Sequence, residues 1–200
     1  MQIHQSPEIV ALLSSLRVLI IEDNSFTRRV NRALLAHVGI KTVYEAVDGV
    51  SGLEAIRKYA PDLVIVDWDL PVLTGSELVR MVRSPNSFPL PDIPIIVLTC
   101  HGERWRVIEA QRCGANEFLV KPASAQAVLD RIVSIFKKPR PMVQLRNYYG
   151  PQPRGAFVQF LKHQKELGAE LPARLGAEPA AAPASPPAAL APKAEAPAPA

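Results

Sequence analysis

Cysteine is scarce in this 200-residue chain, and the usual marks of an exported or membrane-inserted protein are missing. The two cysteines, Cys100 and Cys113, do not have the spacing of a metal site. The N-terminal sequence carries no charged and apolar export signal, and no apolar run is long enough to cross a bilayer. We therefore expect a soluble, cytoplasmic protein that keeps its cysteines reduced and does not insert into membranes.

A strong charge of one sign is also missing, since the formal net charge is only +4. Acids and bases nearly cancel in residues 1–138. The next part of the chain has basic residues without an intervening acid: Arg140, Arg146, Arg154, Lys162 and Lys165. Basic stretches attract nucleic acid or acidic proteins, but no element that reads grooves or bases accompanies this one. We interpret it as a solvated linker, with a protein partner as the alternative, and do not expect nucleic acid to bind.

Composition divides the chain into four parts. With 48% hydrophobic residues, the sequence supports one core plus extensions. Residues 1–15 form an N-terminal extension whose apolar residues favour a short helix, packed on the domain or on a second copy in a homodimer. Residues 16–138 form the domain, and residues 139–175 a basic transitional segment that is partly extended or helical. Residues 176–200 are mostly Ala and Pro, which predicts a disordered tail.

The domain alternates between two kinds of segment. Five runs are continuously apolar or rich in β-branched residues, as strands buried on both faces are. These runs are LRVLII, KTVYEA, DLVIVD, IPIIVL and EFLV. Segments with helical spacing of apolar residues follow each run. Such alternation with right-handed crossovers predicts an α/β fold, a doubly wound parallel sheet with helices on both faces.

Polar residues whose side chains can bind a metal or take part in a reaction stand where the predicted strands end. They are Glu22 and Asp23 after the first strand, Asp67 and Asp69 at the third, Thr99 at the fourth, and Lys121 with Pro122 at the fifth. In an open α/β sheet these ends share one rim, at which ligands bind. Carboxylates gathered there repel one another unless a cation lies among them. Mg²⁺ prefers such oxygen ligands and also accepts phosphate oxygens, so the pattern predicts a magnesium site.

A carboxylate beside that metal can act as a nucleophile toward phosphorus and form an aspartyl phosphate. Phosphoryl transfer depends mainly on neutralising and positioning the phosphoryl oxygens. An ammonium group from Lys121 and a hydroxyl group from Thr99 would supply both effects.

Taken together, these motifs resemble the receiver domain of bacterial two-component response regulators, over roughly residues 16–138. The segment IIEDN is similar to the family's acidic pair, VDWDLP with Gly75 to the phosphoacceptor loop, VLTC to the hydroxyl position and EFLVKP to the lysine loop. The resemblance implies five strands in the flavodoxin-like order 2-1-3-4-5. It also implies a switch phosphorylated by a histidine kinase or a histidine phosphotransfer protein with Mg²⁺.

Carried over to this sequence, the resemblance assigns a role to each motif residue. Asp67 is the phosphoacceptor, and Glu22 and Asp23 supply metal carboxylates. The main-chain carbonyl of Asp69 is the third protein ligand to the metal. Thr99 and Lys121 hold the phosphoryl oxygens.

The same carry-over assigns switching and tuning positions. Phe118 is the aromatic switch residue, which moves inward as Thr99 is drawn toward the phosphoryl group. The Lys121–Pro122 bond is expected to be cis. The positions two beyond the phosphoacceptor and two beyond the threonine, Asp69 and His101, border the path of the attacking water and influence hydrolysis.

Three function classes remain in comparison. The leading one is a stand-alone receiver that is not an enzyme for a separate substrate and acts by docking to an unknown downstream protein or by phosphorelay. A haloacid-dehalogenase-like phosphatase would use Asp67 and Asp69 as nucleophile and acid, but it predicts a further acidic cluster, and no acid pair follows Lys121. The third is a receiver fold that serves as an interaction module without phosphorylation.

Overall fold

The predicted alternation of strands and helices is present in the computed structural model, which describes residues 6–100, 102–145 and 148–154. The helices are α1 (Pro7–Ser15), α2 (Ser25–Val38), α3 (Gly49–Tyr59), α4 (Gly75–Val82), α5 (Arg104–Cys113) and α6 (Ala125–Lys137). The strands are β1 (Arg17–Ile21), β2 (Thr42–Ala46), β3 (Leu63–Asp67), β4 (Ile95–Thr99), β5 (Glu117–Val120), β6 (Met142–Leu145) and β7 (Tyr148–Pro151). Among these residues no helix has both the length and the apolar character needed to span a bilayer.

Strands β1 to β5 are parallel and lie in the order β2-β1-β3-β4-β5, which confirms the predicted topology. The strand order reverses between β1 and β3, and this is the switch point at which α/β sheets bind ligands. The register sets the strand ends side by side: Ile21 pairs with Val66, and Thr99 pairs with Val120. The polar residues that follow these ends therefore share one rim.

The sheet is buried on both faces because alternate residues of each strand enter different cores. Val18 and Ile20 pack with α1, α2 and α6, whereas Leu19 and Ile21 pack with α3, α4 and α5. Burying an aliphatic side chain of this size contributes roughly 1.5–3 kcal/mol. The continuous apolar runs thus fix the sheet between two helical layers and leave only its rims for chemistry.

Short polar motifs begin the helices that border this rim. The side chain of Asn24 accepts hydrogen bonds from the main-chain N–H groups of Phe26 and Thr27, which caps α2. Thr74 and Glu77 form a capping box at the start of α4. These caps fix where the chain turns after β1 and β3, and so they hold the adjoining acidic loops.

The N-terminal extension contains the helix α1, which lies against the domain. Leu13 is fully buried in the core shared with α2 and α6, and Glu8 forms an ion pair of 2.9 Å with Lys137. The extension is thus packed on this chain's own domain in the structure.

The start of the basic segment forms an antiparallel hairpin of β6 and β7. The interpretation of this part as a solvated linker is wrong, because Arg140 donates to the main-chain carbonyl of Asn116 and Arg154 forms an ion pair with Glu117. The extended character predicted for this part is observed. The predicted helix after residue 154 and the predicted disordered tail at 176–200 lie outside the described residues.

Candidate functional site

Three carboxylates converge at the rim of the sheet. Glu22 and Asp23 follow β1, Asp67 ends the neighbouring strand β3, and one oxygen from each lies within 4.8 Å of the other two. Glu22 and Asp67 are 2% and 8% exposed, whereas Asp23 is exposed to solvent. The site is therefore a mostly buried acidic cluster with one open side.

Among the described residues, one ammonium group lies within the cluster. The Nζ atom of Lys121 is 2.6 Å from Glu22 Oε2 and 2.8 Å from Asp67 Oδ2. Lys121 follows the edge strand β5, so its long side chain crosses the end of β4 to reach the acids. The Lys121–Pro122 peptide bond is cis.

Burial and charge shift the pKa values of this ion-paired group. Burial raises the pKa of Glu22 and outweighs the opposing hydrogen bond from Lys121, while the charge of Asp67 raises it further. Burial lowers the pKa of Lys121, but the bonds to Asp67 and Glu22 outweigh this and leave the pKa raised. The cluster thus holds its proton on Lys121 and has an excess of negative charge that one ammonium group does not cancel.

One oxygen in this cluster lacks a partner. Asp67 Oδ1 is buried and accepts no hydrogen bond from any residue in the described part of the chain. A buried carboxylate oxygen without a partner is costly, and a divalent cation would satisfy it. The donor set is entirely oxygen, which is the set that Mg²⁺ prefers. Glu22, Asp23 and Asp67 therefore fit a magnesium ion.

Thr99 and Phe118 lie on the two strands beyond β3. Thr99 ends β4 and is completely buried, and its main-chain carbonyl accepts a 2.7 Å hydrogen bond from the N–H of Lys121. Phe118 is half-buried, packs on the core under α3, α4 and α5, and is paired in register with Val97. The β5 strand thus connects the lysine of the site to the candidate switch residue.

The side chain of Asp69 does not join the carboxylate cluster. Its Oδ1 atom forms an ion pair of 3.3 Å with Arg106 of α5, which leaves the main-chain carbonyl as its candidate metal ligand. His101, the other predicted tuning position, lies outside the described residues.

Gly75 is required by the close packing of the loop that carries Asp69. Its N–H donates to the carbonyl of Trp68 at 2.9 Å. A Cβ atom at this position would lie 2.2 Å from the carbonyl oxygen of Asp67, which is far inside contact distance. The absence of a side chain lets α4 start directly against the end of β3.

Sequence reasoning missed two arginines that contact the site. Arg28 donates from Nη1 to the main-chain carbonyl of Glu22 at 2.8 Å, and from Nε to Glu45 at 3.1 Å. Arg106 binds Asp69 as described above. The first of these could have been suspected because Arg28 lies in the first turn of the helix that follows the acidic pair; nothing in the local sequence marks the second.

Comparison with known proteins finds similarity to response regulators. The sequence model of the family "Response regulator receiver domain" matches residues 18–133. The chain is 33% identical over 123 residues to the chemotaxis protein CheY of Pseudomonas aeruginosa, covering 62% of this chain and 98% of that protein. It is 34% identical over 118 residues to the chemotaxis protein CheY1 of Helicobacter pylori, covering 58% and 94%.

Solved structures of response regulators are also similar to this chain. A putative response regulator from Chloroflexus aurantiacus is 31% identical with a TM-score of 0.57, and the match covers 62% of this chain and 98% of that one. The receiver domain of the putative response regulator NarL from Mycobacterium tuberculosis is 29% identical with a TM-score of 0.54, covering 62% and 97%.

Proposed function

This chain belongs to the response regulator receiver family, and from that membership we propose that it is a signalling switch phosphorylated on Asp67. The observation that carries the proposal is the environment of this carboxylate. One oxygen is bound by Lys121, and the other is buried without a hydrogen-bond partner in the described residues, beside two further carboxylates. An acid in this state is positioned to bind a cation and to react.

The proposed reaction is a phosphoryl transfer onto Asp67. A carboxylate oxygen forms a bond to phosphorus while the bond from phosphorus to the donor's leaving group breaks, and the leaving group departs with that electron pair. When bound by Glu22, Asp23, Asp67 and the carbonyl of Asp69, Mg²⁺ would neutralise charge on the phosphoryl oxygens.

Lys121 and Thr99 complete the proposed chemistry. The Nζ atom already lies 2.8 Å from Asp67. Its ammonium group can therefore donate a charge-assisted hydrogen bond to an oxygen of the incoming phosphoryl group. Thr99 would give its hydroxyl group to another phosphoryl oxygen. We also propose, from the family resemblance, that Asp69 and His101 tune hydrolysis, since they stand two residues beyond the phosphoacceptor and two beyond the threonine in the sequence.

The proposed output is a change of surface. The phosphoryl group adds about 1.5 to 2 negative charges at neutral pH, and drawing Thr99 toward it would free space for Phe118 to move inward. The surface formed by α5, β5 and α6 adjoins both residues and is the proposed docking site for a downstream protein. The proposed phosphodonor is a histidine kinase or a histidine phosphotransfer protein.

Mass spectrometry after incubation with acetyl phosphate and Mg²⁺ tests the proposal. We expect one labile phosphoryl adduct in the wild type and none in Asp67→Asn. Asp62→Asn is the matched control, because Asp62 precedes the same strand at its other end, where it binds Arg17 at 3.0 Å; this variant should retain the adduct. Steady hydrolysis of varied phosphate esters would instead indicate a phosphatase, and an adduct retained in Asp67→Asn would refute the assignment. Amide hydrogen exchange of the same proteins with beryllofluoride should change protection near residues 99–122.

A further inference from the structure

A cleft lies beside the β6–β7 hairpin, at the opposite rim of the sheet from the carboxylate cluster. The ends of α4 and α5, the loop of residues 84–87 and the hairpin form its walls. Its volume is about 580 Å³, which lies within the range of roughly 300–1,000 Å³ typical of ligand-binding clefts. The side chains that border it include Arg80, Arg83, Arg112, Gln144, Tyr148 and Tyr149. Among the described residues that line the cleft, none is an acid.

The cleft carries positive charge that acids of the chain offset only in part. Arg83 is 4% exposed, and its three hydrogen bonds go to neutral acceptors, two main-chain carbonyls and one side-chain amide oxygen. Arg80 shares its charge with Glu109 at 3.3 Å, and Arg112 also interacts within the chain. A buried charge is screened less by solvent than an exposed one. The guanidinium group of Arg83 therefore gives the cleft a positive potential.

The uncharged part of the lining is largely aromatic. Tyr148 donates its hydroxyl group to the carbonyl of Pro151, and Tyr149 donates its hydroxyl group to Asp92, which does not line the cleft. Both tyrosines are half-buried. The thiol of Cys113 is neutral, because burial raises its pKa to about 12. Arginine and tyrosine side chains in one concave surface are typical of sites that bind proteins.

We propose that this cleft binds an acidic peptide segment of a partner protein. The positive potential favours carboxylate side chains, and the tyrosine rings would cover apolar parts of the segment. Gln144 and the polar side chains of residues 84–87 can form hydrogen bonds with its main chain. The proposal does not depend on the proposed function of Asp67. In the competing explanation, Arg83 and Arg112 only offset the partial negative charge at the C-terminal ends of α4 and α5.

Fluorescence anisotropy of a dye-labelled hexaglutamate peptide measures binding to the full-length chain. Gln144 permits a test that leaves every arginine in place, because its side chain is exposed and donates to the neighbouring carbonyl of Leu145. We expect Gln144→Glu to weaken binding about threefold and Gln144→Lys to strengthen it about threefold, since the added charge would lie close to the peptide's carboxylates.

Gln152 is the matched control for these charge substitutions. It is exposed and directly follows β7, but it does not line the cleft. Gln152→Glu and Gln152→Lys should differ in peptide affinity by less than about twofold, because solvent and salt screen a more distant charge.

Arg112→Gln tests the role of the arginines. Its control is Lys137→Gln, because Lys137 also lies in the last turn of a helix, α6, and does not line the cleft. We expect Arg112→Gln to weaken peptide binding about fivefold and Lys137→Gln to leave it unchanged. The competing explanation predicts that both variants lose stability in urea and that neither changes peptide binding.

Three results would overturn the proposal: no saturable binding of hexaglutamate, equal binding of hexalysine, or the same affinity in the two Gln144 variants. Displacement of the peptide by submillimolar inorganic phosphate would also overturn it, by assigning the cleft to a small phosphate ligand. Asp67→Asn should bind the peptide as the wild type does. Failure of the phosphorylation proposal would therefore remain distinguishable from failure of this one.

Discussion

The two rims of the sheet hold contrasting clusters of buried charge. At the carboxyl ends of the strands, three carboxylates surround one ammonium group, and an oxygen of Asp67 has no hydrogen-bond partner among the described residues. At the opposite rim, the buried carboxylate of Glu117 binds Arg154 and lies 3.7 Å from Arg131. One cluster has too much negative charge for its partners, and the other has basic residues in excess.

Within the cluster at the amino ends, the donors of Arg83 are satisfied by main-chain and amide oxygens. The guanidinium group of Arg83 is 4% exposed and donates to the carbonyl of Gly114 and to Asn116 Oδ1, each at 2.9 Å, and also to the carbonyl of Pro91. Burial lowers the pKa of Arg83 to about 10, so it remains charged at neutral pH. Arg140 bonds to the carbonyl of the same Asn116.

We interpret the cluster at the carboxyl ends of the strands as a binding site and the cluster at the amino ends as a structural contact. At the amino ends, Arg140 and Arg154 bond to acceptors of the domain, so this cluster fastens the β6–β7 hairpin to the domain. At the carboxyl ends, Asp67 Oδ1 is buried without a hydrogen-bond partner among the described residues. The free-energy cost of burying this oxygen would be offset by a bound cation. Substitutions at the two rims should therefore affect different measurements.

Loss of the ammonium group should produce the largest effect. In Lys121→Met, the phosphoryl oxygens lose a positive charge that is poised beside Asp67, and removing one such group from a preorganised site slows reaction by about 10²–10³-fold. The measurement is the rate of adduct formation with acetyl phosphate. Lys137→Met, which removes an exposed lysine paired with Glu8, should react at the wild-type rate. An unchanged rate in Lys121→Met would remove Lys121 from the proposed site.

Loss of Arg83 should reduce stability and leave phosphorylation within about twofold of the wild type. Arg83→Met deletes three hydrogen bonds of a buried cation, and Asn116 Oδ1 keeps its bond from the N–H of Ile95, so we expect the free energy of unfolding to fall by about 2–3 kcal/mol. Urea denaturation measures this change. Arg80→Met, at an exposed ion pair on the helix that ends just before Arg83, should cost less than about 1 kcal/mol. Equal losses in the two variants would contradict the structural role of the buried guanidinium group.

The smallest expected effect is a difference in pH dependence. The pKa of Glu22 is raised above its ordinary value of 4.5 by burial first and by Asp67. An acid with a raised pKa holds its proton more tightly in the folded state, so its contribution to stability is fully present below 4.5 and is lost as pH rises through the folded pKa. Relative to Glu22→Gln, the wild type should lose stability with rising pH in this window, measured by urea denaturation in EDTA.

Asp62 provides the control of opposite sign. Its pKa is lowered from 3.8, chiefly by the hydrogen bond from Arg17. Its contribution is therefore present above 3.8 and is lost as pH falls through the folded pKa. Relative to Asp62→Asn, the wild type should lose stability toward low pH. Parallel pH profiles for the two variants would contradict the opposite shifts.

Most of the fold was predictable because the strands are buried on both faces. Their continuous apolar runs stand out from the helical segments, and the predicted strands of the domain agree with the structure within two residues. The convergence of Glu22 and Asp67 followed from strand order alone, since both residues stand at ends of neighbouring parallel strands. The β6–β7 hairpin was harder to predict from the sequence, because a run of Pro, Arg and Tyr is equally typical of a solvated linker.

The sequence by itself determined the layered sheet and the acidic rim, because the pattern of apolar residues decides which segments are buried and where each strand ends. Only the tertiary structure decided which arginines meet which acceptors. Arg106 and Asp69 are separated by 37 residues, and Arg83 and Asn116 by 33. Long flexible side chains can reach many partners, and only the folded arrangement of the loops selects one.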